Sequence, residues 1–119
     1  MISLTSRVKA LLEGLGAPVY YFHPQGWIAK PVISWRESGN REIGQADGRE
    51  HLAELTYAID LWADSPAQNA ALSDALDARM FAARFRRDYL ADLFDARTGL
   101  HHRSLRYRAV ADAAGNIYQ

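Results

Sequence analysis

The chain has 119 residues, 49% hydrophobic and 24% charged, the size and mix of one globular domain spanning residues 1–119. Fourteen basic and fourteen acidic residues cancel, with a pI near 6.9, so no overall field draws the chain to nucleic acid or to an anionic membrane. The lack of cysteine excludes disulfides and thiolate metal sites; with no run of roughly 18 apolar residues to span a bilayer, the chain reads as made and kept in the cytosol.

In chain order, residues 3 to 16 carry Leu4, Val8, Leu11, Leu12 and Leu15 at helical spacing, opened by Ser3 or Thr5 as a cap and closed by Gly14 and Gly16. After Pro18, the β-branched and aromatic run Val19-Tyr20-Tyr21-Phe22 predicts a strand that stops at His23-Pro24-Gln25-Gly26. A second strand follows Pro31, with Ile33 and Trp35 on one face and Ser34 and Arg36 on the other. Residues 38 to 50 are polar, hold three glycines and show no period, which predicts a long loop. From Leu52 the alternation is strict, with Ala53, Leu55, Tyr57, Ile59 and Leu61 on the apolar face.

Ser65-Pro66-Ala67-Gln68 supplies a cap, a proline at the first helical position and a glutamine three residues on, the opening of a second helix reaching about Phe81. Its expected buried stripe is Leu72, Ala75, Leu76 and Met80. Residues 84 to 95 suit a strand or a continued helix nearly equally. Thr98-Gly99 marks a turn, Leu100 to Val110 alternates with Leu105, Tyr107 and Ala109 inward, and a short strand closes the chain after Gly115-Asn116. The expected fold class is α+β: a mainly antiparallel or mixed sheet of four to five strands with two helices packed on one face.

Chemistry is sparse. His101 and His102 are adjacent, and neighbours on a strand point to opposite faces, so the pair is poorly placed to chelate one ion; no metal site is expected. Asp60/Asp64 and Asp92/Asp95 are explained by solvation and helix-dipole effects without general acid–base work. The nucleophile elbow, the dinucleotide fingerprint and the phosphate-loop lysine are all missing, so no enzyme and no cofactor is expected. The one basic concentration, Arg84, Arg86, Arg87, Arg103, Arg106 and Arg108 interleaved with Phe85 and Tyr107, has the residue types of a stacking platform for nucleic acid. Alternate arginines that keep a strand face soluble explain it better. Trp35 is assigned to the core, while Trp27 and Trp62 are candidates for subunit contacts.

The order of segments resembles the tail-completion, or tail-terminator, family of long-tailed phages and prophages. The resemblance lies in the first helix, Pro18-Val19-Tyr20-Tyr21, Lys30-Pro31-Val32-Ile33-Ser34-Trp35-Arg36-Glu37-Ser38, Tyr57-Ala58-Ile59-Asp60-Leu61-Trp62-Ala63, the helix from Ser65, and Gly99-Leu100-His101-His102-Arg103-Ser104-Leu105-Arg106-Tyr107-Arg108. It implies a structural protein whose copies close a ring, often a hexamer, on the head-proximal end of the tail tube. The implied partners are further copies, the tail tube protein and the head connector or neck protein, with no membrane, and with nucleic acid only as DNA passing through the ring. The implied location is the host cytoplasm during assembly and then the virion tail or neck. A polar segment that orders on assembly suits such contacts, which makes Arg41, Glu42, Ile43, Gln45 and Arg49 the candidate contact residues beside Trp27 and Trp62. A head-completion or neck role, a host protein-binding α+β module and, last, a small hydrolase are the alternatives.

Overall fold

A computed structural model of the protein describes residues 1–23, 30–46 and 48–118, with the backbone alone for Ala46, Arg49 and Glu50. The elements run α1 (Thr5–Leu12), β1 (Val19–Tyr21), β2 (Val32–Ala46), β3 (Arg49–Ala63), α2 (Pro66–Ala82), β4 (Arg86–Asp95), β5 (Leu100–Asp112) and β6 (Ile117–Tyr118). They form an α+β fold with a mixed sheet of six strands in the order β1-β2-β3-β5-β4, β6 pairing with β5. The β1–β2 pair is parallel, and every other pairing is antiparallel.

The alternation seen in the sequence fixes which face is covered. Ile33 and Trp35 of β2, the odd residues 53 to 61 of β3, and Leu105, Tyr107, Ala109 and Ala111 of β5 share one face and are buried. Val8 and Leu12 of α1 and Leu72, Leu76 and Met80 of α2 pack against them in one core. The even residues of β3, with Arg106 and Arg108 of β5, lie on the opposite, open face.

The helices differ from expectation in detail. α1 is only eight residues long; Leu4 rather than Ser3 or Thr5 occupies its cap position, and Ser3 Oγ accepts from the Thr5 N–H at 3.2 Å. Its end is held from α2, where Arg79 donates to the carbonyls of Leu11, Glu13 and Gly14, satisfying acceptors that an isolated helix leaves open. α2 opens as expected: the Gln68 N–H donates to Ser65 Oγ at 3.3 Å, and Gln68 Oε1 accepts from the Asp64 N–H at 3.0 Å. Ala75, however, is exposed. Asn69, Leu72, Ser73, Leu76 and Met80 form the buried stripe instead, because helical spacing places 69, 72, 73, 76 and 80 along one line and 75 off it.

The open choice at residues 84 to 95 resolves to a strand. Arg84 adopts φ 72°, its N–H donates to the Phe81 carbonyl, and the Phe85 N–H reaches back to the Met80 carbonyl. This left-handed closure ends α2 and drops Phe85 into the core.

The expected loop at 38 to 50 is the main correction. Its residues continue β2 and open β3, pairing from Gly39↔Thr56 to Ala46↔Arg49. Only two residues separate the strands, and Gly48 there has φ 73°. Asp-Gly at such a turn is a strong hairpin signal, and the polarity of the flanking residues had hidden it. The register shifts near Gly39 and Gly44, and such bulges also blur the two-residue period.

Candidate interaction surface

The first candidate surface is the far end of the β2–β3 hairpin. Pairing of β3 with β5 begins at Leu52↔Asp112, so Gln45, Ala46 and Gly48 to His51 project past the end of β5 as an arm. Together with the 15-residue strands this arm draws the molecule out to 52 × 24 × 22 Å. The radius of gyration, 15.3 Å, exceeds the roughly 13.5 Å of a compact chain of this length. Arg41, Glu42, Ile43 and Gln45 all lie on the β2 side of the hairpin and are exposed. Arg41 pairs with Glu54 at 3.3 Å across the strands. Arg49 opens β3, and Trp27 lies outside the described residues.

Trp62 is not part of that surface. Ten residues of β3 separate it from Leu52, the partner of Gly44, roughly 33 Å along a strand. There it stacks on His102, with ring centroids 3.8 Å apart and planes at 13°, and its Nε1 donates to Ser34 Oγ at 3.0 Å. His102 Nε2 lies 2.7 Å from Asp60 Oδ1, and Arg36 approaches the other Asp60 oxygen at 4.0 Å. These contacts tie β2, β3 and β5 together on the open face. The seven sequence candidates therefore do not form one patch: of the described side chains, Gln45 lies in the arm, Arg41, Glu42 and Ile43 lie just before it on β2, and Trp62 lies at the far end of the sheet body.

Sequence reasoning missed a second surface, the outer edge of β4. Among the described residues, β4 pairs only with β5. It exposes Tyr89, Leu90, Leu93 and Phe94 by 39 to 59%. Leu90 and Phe94 lie opposite Leu105 and His101 on the helix-covered side, while Tyr89 and Leu93 lie opposite Arg106 and His102 on the open side. Arg106 sits over the Tyr89 ring at 4.5 Å, an arrangement attractive through the ring quadrupole. The alternation of large apolar residues on both faces of one edge was the available signal, blurred by the bulge between Arg87 and Tyr89.

Ionisable groups serve the fold. Arg103 grips Asp92 through Nε and Nη2 at 2.8 and 3.0 Å and reaches Ser73 Oγ; these hydrogen bonds hold the Asp92 carboxyl below its ordinary range. Tyr107 donates to Asp77 at 2.8 Å, and burial, followed by that bond, pushes its phenol upward. Tyr57 donates to Glu37 and accepts from the Leu4 N–H, and burial pushes it up to about 12. Asp112 gathers Tyr118, both nitrogens of Asn116 and the Ala114 N–H, which lower its carboxyl to about 2. Phe85 and Tyr107 are buried and Arg103 faces the helices, so the basic concentration of the sequence is not a stacking platform. His101 and His102 do point apart, His101 meeting Phe94 and His102 meeting Trp62. Among the described residues no three or more His, Asp or Glu side chains gather within reach of one metal ion, and no helix is long and apolar enough to cross a membrane.

No curated protein matches the chain. Among solved structures, a chain described as "Virion of native gene transfer agent (GTA) particle" is similar, with 21% identity, a TM-score of 0.47, and coverage of 85% of this chain and 81% of that one. Residues 3–112 match the family model described as Tail completion protein gp17. This span takes in every element from α1 to β5, and the chain belongs to that family, as a structural protein of the phage tail.

Proposed function

We propose that copies of this chain form a ring, a hexamer being the expected number, that caps the head-proximal end of the tail tube and joins tail to head. The protein assembles in the host cytoplasm and is then carried in the virion. In this reading residues 1–119 act as one tail-completion domain. Its partners are further copies, the tail tube protein and the head connector or neck protein, and DNA passes through the ring without being read. The role is positional, with no reaction and no cofactor.

The observation that carries the proposal is the projecting arm. A closed ring needs two different patches on each subunit, and an arm reaching beyond its own sheet is suited to engage a neighbour. Gln45 and Arg49 in the arm, with Arg41, Glu42 and Ile43 beside it on β2, are the proposed contact residues. Trp62 and Trp27 are proposed as secondary contacts, Trp62 through the flank of its indole, which is half-buried.

Shortening the hairpin tip between Ile43 and Glu50 tests this reading. The shortened chain should keep its circular dichroism and thermal midpoint, because none of the described side chains there belongs to the core, yet fail to appear as density at tube ends in negative-stain images. Normal capping by the shortened chain would refute the role of the arm.

A further inference from the structure

An edge strand with large apolar side chains exposed on both faces invites pairing with another strand, and proteins usually blunt such edges. β4 has ten residues and carries charges near its ends, but Tyr89, Leu90, Leu93 and Phe94 remain exposed between them. On the opposite side of the sheet, β1 covers β2 only at Ile33 to Trp35. Among the described residues no strand pairs with the outer edge of β2, the one turned away from β3, from Arg36 to Ala46. Among the described residues the sheet thus has two open edges of nearly equal length.

We propose that the outer edge of β4 receives the Arg36–Ala46 edge of β2 from a second copy of this chain. The inference rests on the ring reading above and names the contact that closes the ring.

Direction supports it. Three antiparallel steps, β2 to β3 to β5 to β4, leave β4 running opposite to β2, so a neighbour in the same orientation offers β2 antiparallel to β4, the more stable pairing. Stagger supports it too. The middle of β4, Leu90, is level with Leu105 and through it with Ile59. The middle of the free β2 edge, Arg41, is level with Glu54. The two centres are thus offset by the five residues from Glu54 to Ile59. Five residues at about 3.3 Å along the strands, against four strands at about 4.8 Å across them, correspond to a strand tilt of about 40°, within the range of closed sheets.

Faces agree in the register one residue from the aligned centres, where the stagger is six residues and the tilt about 46°. Glu42 falls opposite Leu90 on the helix-covered side, and Arg41 falls opposite Ala91 on the open side. Ile43, 42% exposed, meets Tyr89. A strip about 33 Å long with side chains engaged above and below the sheet approaches the roughly 800 Å² per partner of a specific interface.

The native chain has no cysteine, which makes cross-linking decisive. Within one copy, positions 43 and 89 are separated by two intervening strands and about five residues of stagger, roughly 20 Å, far beyond disulfide reach. The double variant Ile43→Cys/Tyr89→Cys, oxidised or treated with a short bis-maleimide after incubation with tail tubes, should give a ladder of linked multimers. A mixture of the two single variants should stop at dimers, and each single variant alone should stay monomeric. Dimers from Tyr89→Cys alone would replace the proposed pairing with a symmetric one and overturn it. No ladder, while the reduced double variant still caps tubes, would overturn the edge pairing and leave the ring reading standing. A ladder without capped tubes would uphold the pairing and defeat the ring reading. As an independent check, Tyr89→Lys should leave circular dichroism unchanged and lower the fraction of capped tubes by about tenfold, the scale of losing one aromatic anchor; full capping by the folded variant would overturn the proposal.

Discussion

The two halves of β3 show what burial adds to pairing. From Ala53 to Leu61 every odd residue is fully buried beneath the helices, with neighbouring strands on both sides. From Arg49 to His51 the same strand is paired only with β2 and lies in the projecting arm. Strand pairing runs on through bulges into the arm, but among the described residues the buried apolar contacts of β3 lie in the sheet body. In the proposed reading stability and assembly are therefore separable, the first lodged in the body and the second assigned to the arm and the β4 edge.

The largest expected effect lies in the body. Phe85 is buried and meets the Tyr57 ring edge-on at 6.1 Å. Phe85→Ala should cost about 3–5 kcal/mol in denaturant unfolding, whereas Ile43→Ala, exposed beside the arm, should stay within about 0.5 kcal/mol. Comparable losses at the two positions would erase the contrast.

A smaller effect sits where the amino-terminal segment meets the body, at Tyr57. Removing its hydroxyl leaves the Leu4 N–H and the Glu37 carboxylate without that partner, so Tyr57→Phe should cost about 1–3 kcal/mol. The pH dependence has a definite sign. Because burial raises the folded phenol from 10.0 to about 12, its contribution is complete below pH 10 and is lost as pH rises through about 12. The phenylalanine variant should therefore show a flatter alkaline limb in a pH titration of unfolding. Tyr107 is also raised and should preserve part of that limb.

The smallest effect is expected at the sheet margin. Asp112 holds β6 through Tyr118 and Asn116, and these bonds depress its carboxyl from 3.8 to about 2. The contribution is present above pH 3.8 and disappears as pH falls through about 2. Amide and side-chain resonances of Ile117 and Tyr118 should report release of β6 in that window while the core signals persist. Simultaneous loss of the core signals would show that margin and body are one cooperative unit.

How far the sequence could be read follows the same division. Strict alternation in β3 and β5 and the Ser65-Pro66-Gln68 opening of α2 were legible because one face of each element is buried, and burial imposes a period. The arm was not legible as strand: its sequence is polar and carries no period, and the Asp47-Gly48 turn signal lay within it. The end of α2 was hidden for a different reason. Its left-handed residue is Arg84 rather than glycine, so nothing in composition marked the break. Of the contact candidates, Arg41, Glu42, Ile43 and Gln45 were singled out through the polarity and length of their segment, and the structure exposes them. The β4 edge was missed because exposed apolar residues read like core residues until the order of strands is known.

The place of β5 in the sheet bears on how the chain folds. β5 pairs with β3, β4 and β6, and its pairing with β3 joins residues 38 to 60 positions apart, from Ala63↔His101 to Leu52↔Asp112. The β2–β3 hairpin closes over a two-residue turn and can form on the microsecond scale as soon as its residues leave the ribosome. β5 is synthesised after all the other long strands, and its non-local pairing makes it the slow step. Until it arrives, the apolar face of the hairpin waits without its neighbour, in the state most open to misassembly with other nascent chains.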